Sequence, residues 1–302
     1  NPNFYLGEPK TKNLIFKVVA TNAELQAVET GDVDIHDQVV CDDDHIEEAM
    51  SAGFINLKIQ PTLGYGYVAT NQKNEIFQDV KVRQALLHAI DRKSLNQAVY
   101  GQYAITLNIP QAPISWLYDD EGMETYDYDL EKAAELLKEA GWEKDGDKLM
   151  KDGKQMKIVF SAMSGNVVTD TMIPLMIDAY GQLGIDFQAE YVDWPTLQSK
   201  SQNGTFDMLF MAWGLTADPD LTGTFASPEA GGTQNRTGYA NPELDKMLAE
   251  ALASTSQDEQ KEKYKEIYKL INEELPLYPI YERCDLICYN TRVQNIEQSS
   301  YV

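Results

Sequence analysis

The side chains best suited to grip a small molecule fall in one run, Phe206 to Asp220, which contains Trp213-Gly214, Thr216 and Asp218-Pro219-Asp220. Trp213 offers a broad apolar face with a single N–H donor. It reads either as a core residue or as a cleft wall, and Gly214 with the polar run behind it favours an exposed edge. Asp218 and Asp220 either bring carboxylates to the same place or spend them on backbone hydrogen bonds of a turn, and the turn is the stronger reading. Further along, Arg236 sits in a glycine-rich loop, Gly231 to Tyr239, where it can pair with a carboxylate on a ligand or simply face water. Tyr65 and Tyr67 straddle Gly66, which places one at a cleft and the other in the core; Tyr65 is taken as the cleft residue.

Catalysis finds little support. The three histidines are His36, His45 and His88, and none has a nearby nucleophile or second metal ligand. The sequence has no Gly-x-Ser-x-Gly, phosphate loop or His-Glu-x-x-His. A hydrolase would need two of the many carboxylates to meet in a cleft. Asp42-Asp43-Asp44-His45 could suggest a cation site, but with no second ligand cluster it reads as an exposed loop entering a helix. No metal and no cofactor are therefore expected. Of the three cysteines, Cys284 and Cys288 lie on one strand, roughly 13 Å apart at ~3.3 Å per residue. That is too far for a disulfide, and Cys41 has no evident partner.

The elements that must position these residues are legible from periodicity. Leu14, Phe16 and Val18 alternate as a half-buried strand, and 21–29 form a short helix. Strands follow at 56–59 and 65–71. Val82, Ala85, Leu86, Ala89 and Ile90 recur at helical spacing, with Asp91 placed to cap a second helix that ends at Gly101. Asp129 opens a helix that Gly141 stops, and Asp145-Gly146 and Asp152-Gly153 are hairpin turns. Helix 167–183, strand 185–191, helix 194–203 and the nearly all-apolar strand 206–212 then alternate. That alternation, with one strand buried on both faces, gives an α/β layered fold. Pro174 marks a kink or first turn in its helix. Two more helices, from Asn241-Pro242 and over 257–274, precede closing strands at 277–281 and 286–289.

At 302 residues, with 43% hydrophobic content, the chain can build two lobes. Lys+Arg 25 against Asp+Glu 48 gives a net charge of −23, which repels phosphate backbones and anionic membranes, so no nucleic acid is expected as a partner. The acidic residues are spread along the chain and read as a solvated surface. No apolar run approaches a membrane span.

Val82-Arg83-Gln84-Ala85-Leu86 followed by Ala89-Ile90-Asp91-Arg92 resembles the family-five solute-binding proteins of bacterial ABC importers, the peptide, dipeptide and nickel receptors. The likeness continues through Asn1-Pro2-Asn3-Phe4-Tyr5, Gly31-Asp32-Val33-Asp34, Tyr128 to Trp142, and Phe206 to Asp220, nearly the whole chain in order. The resemblance implies an α/β, two-lobed receptor of periplasmic-binding-protein type II. Residues 1–75 plus 278–302 would be a partial first lobe and 76–277 the second, with crossings near 71–77 and 276–281. It implies hinge closure on a solute, most simply a short peptide, and delivery to an ABC permease by a monomer. The location implied is extracytoplasmic, periplasm or outer membrane face, with a lipid anchor on a preceding segment. It further implies that part of the first lobe is missing, so that this piece folds around 76–277 and binds its ligand weakly. In the family the strand ending at Trp213 delivers Trp, Gly214 and the Asp218 loop to the ligand, and an Asn-containing loop, here Asn235 and Arg236, faces it. Peptide receptors of the family commonly place an aspartate three residues after that tryptophan, against the peptide's amino group. Here that residue is Thr216, which carries no charge, so an oligosaccharide, opine or metal-chelate receptor is the alternative.

Overall fold

The computed structural model describes residues 4–5, 7–20, 22–217 and 220–296, and the chain divides into two compact units. The first comprises residues 1–60 and 285–297. It contains α1 (Glu24–Glu29), β1 (Ile35–Val40), α2 (Asp43–Ser51) and β2 (Ile55–Pro61). β1 runs antiparallel to the chain's last strand, pairing Ile35 with Tyr289 and Val40 with Asp285. Asp42 caps α2, accepting from the His45 backbone N–H at 2.8 Å and lying 2.7 Å from its Nδ1. The acidic triplet thus starts a helix, as its loop reading required. The expected strand at Leu14, Phe16 and Val18 does not form: these side chains are exposed on an irregular backbone. Alternation fits a half-buried strand, but a strand also needs a neighbour for its N–H and C=O groups, and none of the described residues supplies one.

The second unit holds residues 61–284. Its elements begin with β3 (Gly64–Thr70), α3 (Val80–His88), α4 (Arg92–Tyr100), β4 (Ala104–Thr106) and α5 (Leu130–Glu139). A small meander follows, β5 (Glu143–Asp145), β6 (Lys148–Lys151) and β7 (Lys154–Gln155), turning at the two Asp-Gly pairs. Then come β8 (Lys157–Met163), α6 (Val167–Leu183), β9 (Asp186–Val192), α7 (Trp194–Asn203) and β10 (Met208–Gly214). The short α8 (Thr222–Phe225), α9 (Pro242–Leu252), α10 (Gln257–Glu274) and the part of β11 (Leu277–Asn290) up to residue 284 complete it. Strand order is β11-β3-β10-β8-β9, with β8 parallel to β9 and β10, and β3 antiparallel to β10 and β11. β3 pairs with β10 from Thr70↔Met208 to Gly64↔Gly214. That ladder draws residues 61–75 into the second unit, and the two units divide at 60/61 and 284/285. The two closing strands expected at the C-terminal end are one, β11, and Pro174 sits inside an unbroken α6.

One sheet face carries Tyr65, Tyr67, Ala69 and Leu209 against Leu244 and Leu248 of α9 and Tyr264, Tyr268 and Ile271 of α10, all buried. Near the β9 edge, the Tyr180 ring of α6 meets Phe187 edge-on at 5.0 Å and its hydroxyl donates to the Leu86 carbonyl at 3.1 Å. Gly66 is required where β11 crosses β3, because a Cβ there would lie 2.6 Å from the Tyr281 ring. Two buried arginines tie loops to this frame. Arg83 donates to the carbonyls of Phe77, Gln78 and Glu274 and pairs with the Glu274 carboxylate at 3.2 Å. Arg92 has only carbonyl acceptors, those of Leu107, Thr125, Tyr126 and Pro279, and burial lowers its pKa to about 10.

Candidate functional site

β10 is buried on both faces over Met208 to Phe210 and then emerges, so its C-terminal end leaves Trp213 half-buried and Gly214 exposed. The strand end is fixed by Leu215, whose N–H donates to the Leu63 carbonyl at 2.8 Å. Side chains two apart share a strand face, and Tyr65 and Tyr67 accordingly lie side by side, ring centroids 5.9 Å apart. The expectation that they face opposite ways is corrected by this periodicity. Tyr65, 3% exposed, belongs to the core, and Tyr67 is the tyrosine that reaches the site. The Trp213 indole stacks parallel to the Tyr67 ring, with 6.1 Å between centroids.

A small recess, with about 10 Å³ of cavity volume, opens beside this pair, walled by Tyr67, Trp213, Thr224, Phe225 and the loop from Gln234 to Tyr239. The loop is built to hold one shape. Gly232 passes so close to the Ala226 carbonyl that a Cβ would overlap it at 1.9 Å. Gln234 N–H donates to Gly223 O at 2.7 Å, and Gln72 N–H to Thr237 O at 2.8 Å. Asn235 is the hub. Its amide donates to the carbonyls of Ala226 (2.9 Å) and Tyr239 (2.7 Å), while its oxygen accepts from the Thr237 hydroxyl (3.2 Å) and Gly238 N–H (3.0 Å). Both amide protons and both lone pairs are thereby used, three within the loop and one tying it to Ala226. Asn235 shapes the wall, and its neighbour Arg236 is left half-buried at the recess.

Trp213, Asn235 and Arg236 are thus brought together, joined by Tyr67. Gly214, the last residue of β10, and Thr216 beyond it are exposed and do not line the recess. Asp218 lies outside the described residues. Asp220 accepts from the Thr222 N–H at 2.8 Å, the turn-forming role that its setting favoured. No sequence signal picks Tyr67 over Tyr65: register pairs Trp213 directly with Tyr65, and Tyr67, opposite Met211, meets the indole on the diagonal.

Burial raises the Tyr67 phenol far above its ordinary pKa, and the Arg236 charge partly opposes this. Arg236 therefore stands near the phenol. The histidines do other work: His36 Nδ1 accepts from Gln38 N–H, His45 lies against Asp42, and His88 lies 2.8 Å from the Asp127 carbonyl. Among the described residues no group of three or more His, Cys, Asp or Glu could hold a metal ion. Cys41, Cys284 and Cys288 are not joined in disulfides.

Comparison with known proteins places this geometry. The model of bacterial extracellular solute-binding proteins, family 5 Middle, matches residues 1–235. The oligopeptide-binding protein AppA of Bacillus subtilis is 31% identical over 289 residues, covering 93% of this chain and 52% of the relative. Heme-binding protein A of Haemophilus influenzae is 29% identical, covering 82% of this chain and 44% of the relative. The structure of AppA in complex with a nonapeptide superposes with a TM-score of 0.85 at 27% identity, over 93% of this chain and 56% of that one. The chain spans about half the length of the curated relatives it matches.

Proposed function

Because the chain belongs to the family 5 bacterial extracellular solute-binding proteins and shares their α/β, periplasmic-binding-protein type II fold, we propose that it is the capture component of an ABC importer and takes short peptides. The observation that carries this reading is the half-exposed Trp213 stacked on Tyr67 at the mouth of a preformed recess. An aromatic face of this kind accepts extended chains of varied sequence through apolar contact. Trp213, Gly214, Thr216, Asp218 and Arg236 are the proposed contact residues.

The protein works outside the cytoplasm as a monomer, held by a lipid anchor, and hands its cargo to a membrane permease. Among the described residues no helix is long and apolar enough to cross a membrane. It binds without turnover, so ligand recovered from the complex is chemically unaltered. A second reading, a receptor for a non-peptide solute such as a metal chelate, is favoured by Thr216 and by a relative described as heme-binding.

Thermal unfolding against short peptides, sugars and metal chelates tests the proposal. A ligand at a hundredfold its Kd adds about 2.7 kcal/mol of stability. Stabilisation by peptides supports the first reading, and response to chelates or sugars alone replaces it with the second.

A further inference from the structure

Two hydrogen-bond donors reach the recess without a protein partner. Arg236, half-buried in the wall, makes no ion pair and no hydrogen bond among the described residues. The Tyr67 hydroxyl, on a ring only 2% exposed, likewise has no hydrogen-bond partner among them. Neither group is among the buried unpartnered side-chain atoms, so both stay open to water that a ligand group can replace. Elsewhere in the unit the buried arginines are fully used, Arg83 on three carbonyls and a carboxylate and Arg92 on four carbonyls. Arg236 departs from that pattern at the one place where ligand is proposed to sit.

The charge distribution sharpens the point. The chain carries 48 acidic against 25 basic residues, yet no residue lining the recess bears a carboxylate. A lone cation in an otherwise neutral, partly desolvated corner favours a ligand carrying a single negative charge. A guanidinium presents parallel N–H donors that match a carboxylate's two oxygens, and the protonated phenol beside it adds an O–H donor. We infer that Arg236 and Tyr67 together bind a carboxylate of the solute, so that this receptor holds a peptide by a carboxyl group lying against the Trp213 face. The inference rests on the receptor reading above. It also accounts for Thr216: with the carboxyl end as the charged anchor, no aspartate is needed opposite the amine.

Isothermal titration of the full chain with three probes tests this: trialanine, trialanine amide, and Ala-Glu-Ala amide. The wild type is compared with R236Q, R236K and Y67F, each first shown to unfold at the wild-type temperature within a few degrees. Amidation of trialanine is expected to weaken binding roughly ten- to a hundredfold. R236Q loses as much for the free acid and nothing further for the amide. R236K, which keeps the charge without the fork, loses less, and Y67F loses about tenfold. Recovery of affinity by Ala-Glu-Ala amide assigns the corner to side-chain carboxylates; no recovery assigns it to the chain terminus. Equal binding of acid and amide, with R236Q behaving as wild type, overturns the inference and leaves the peptide receptor standing. If none of the three binds, the peptide reading is what fails, and citrate is then titrated at low salt by tryptophan fluorescence. A saturable response that R236Q abolishes retains the carboxylate corner; no response overturns it.

Discussion

Trp213 and Tyr67 lie on diagonal positions of adjacent antiparallel strands with their ring planes only 4° apart. One partner is half-buried and the other is core, so the stack transmits the rigidity of the sheet to the recess mouth. Trp213→Ala is expected to cost about 1 kcal/mol of stability, the worth of an aromatic pair, while weakening peptide binding about tenfold or more. Trp213→Phe keeps a ring for the stack and should recover most of the stability. Calorimetric titration beside urea unfolding reads both effects. Unchanged affinity in the alanine variant would remove Trp213 from the site.

Asn235 offers a separate handle, because its four hydrogen bonds hold the loop together and tie it to Ala226. Asn235→Ala strips partners from the Ala226 and Tyr239 carbonyls and from Gly238 N–H, and should cost about 2–3 kcal/mol. Asn235→Asp preserves the acceptor and loses the donors, and should fall between. Proteolysis of the native protein is expected to begin in 231–239 in the alanine variant, a site the wild type protects.

Gly66→Ala tests the β3–β11 crossing. The added methyl meets the Tyr281 ring at 2.6 Å, and that ring is itself packed against Tyr100 and Phe210. Overpacking of this kind costs about 1–3 kcal/mol. A smaller residue at Tyr281 should relieve the clash, so a double-mutant cycle in urea should show strong positive coupling. Additive effects would mean that the sheet yields there at little cost.

Alkaline pH should unfold the protein earlier than acid-base neutrality alone implies. Burial, helped by Glu29, raises the Cys288 thiol to about 11. Burial also pushes the Tyr65, Tyr180 and Tyr278 phenols far above their ordinary value. In the unfolded chain these groups titrate near ~8.5 and ~10. Above about pH 9 the unfolded chain therefore sheds protons that the folded chain retains, and stability present below that pH is lost as pH rises. The urea midpoint should hold steady near neutrality and decline from about pH 9 upward, with Cys288→Ala flattening the first part of the decline. A midpoint flat through that range would count against these burial shifts.

Much of this architecture was legible because local chemistry announces it. Asp91 and Asp129 cap the helices they precede, accepting from Ser94 and Lys132 N–H, and both Asp-Gly pairs turn hairpins. Reading failed where the answer depends on a distant partner. Leu14, Phe16 and Val18 alternate without a neighbouring strand, and 277–281 and 286–289 merge into β11 because β3 and β1 each offer it a ladder. At the site, residue types named Trp213 and Arg236, which the fold brings to one recess. They could not show that the side chain of Asn235 is consumed by its loop and Ala226, or that Tyr67 and not Tyr65 lines the recess, since both follow from the backbone course. Nothing in the pattern around Arg83 or Arg92 distinguished them from surface arginines.

Arg92 sets a condition on the order in which the molecule can assemble. Its four carbonyl acceptors lie 15, 33, 34 and 187 residues along the chain. Until all have arrived, the guanidinium keeps its hydration shell, so its contribution is withheld until late and then delivered at once. The irregular stretch between β4 and α5 should accordingly exchange its protected amide hydrogens only when β11 detaches, at the slow rate of the core. By sequence it is a loop, but it is kinetically part of the sheet.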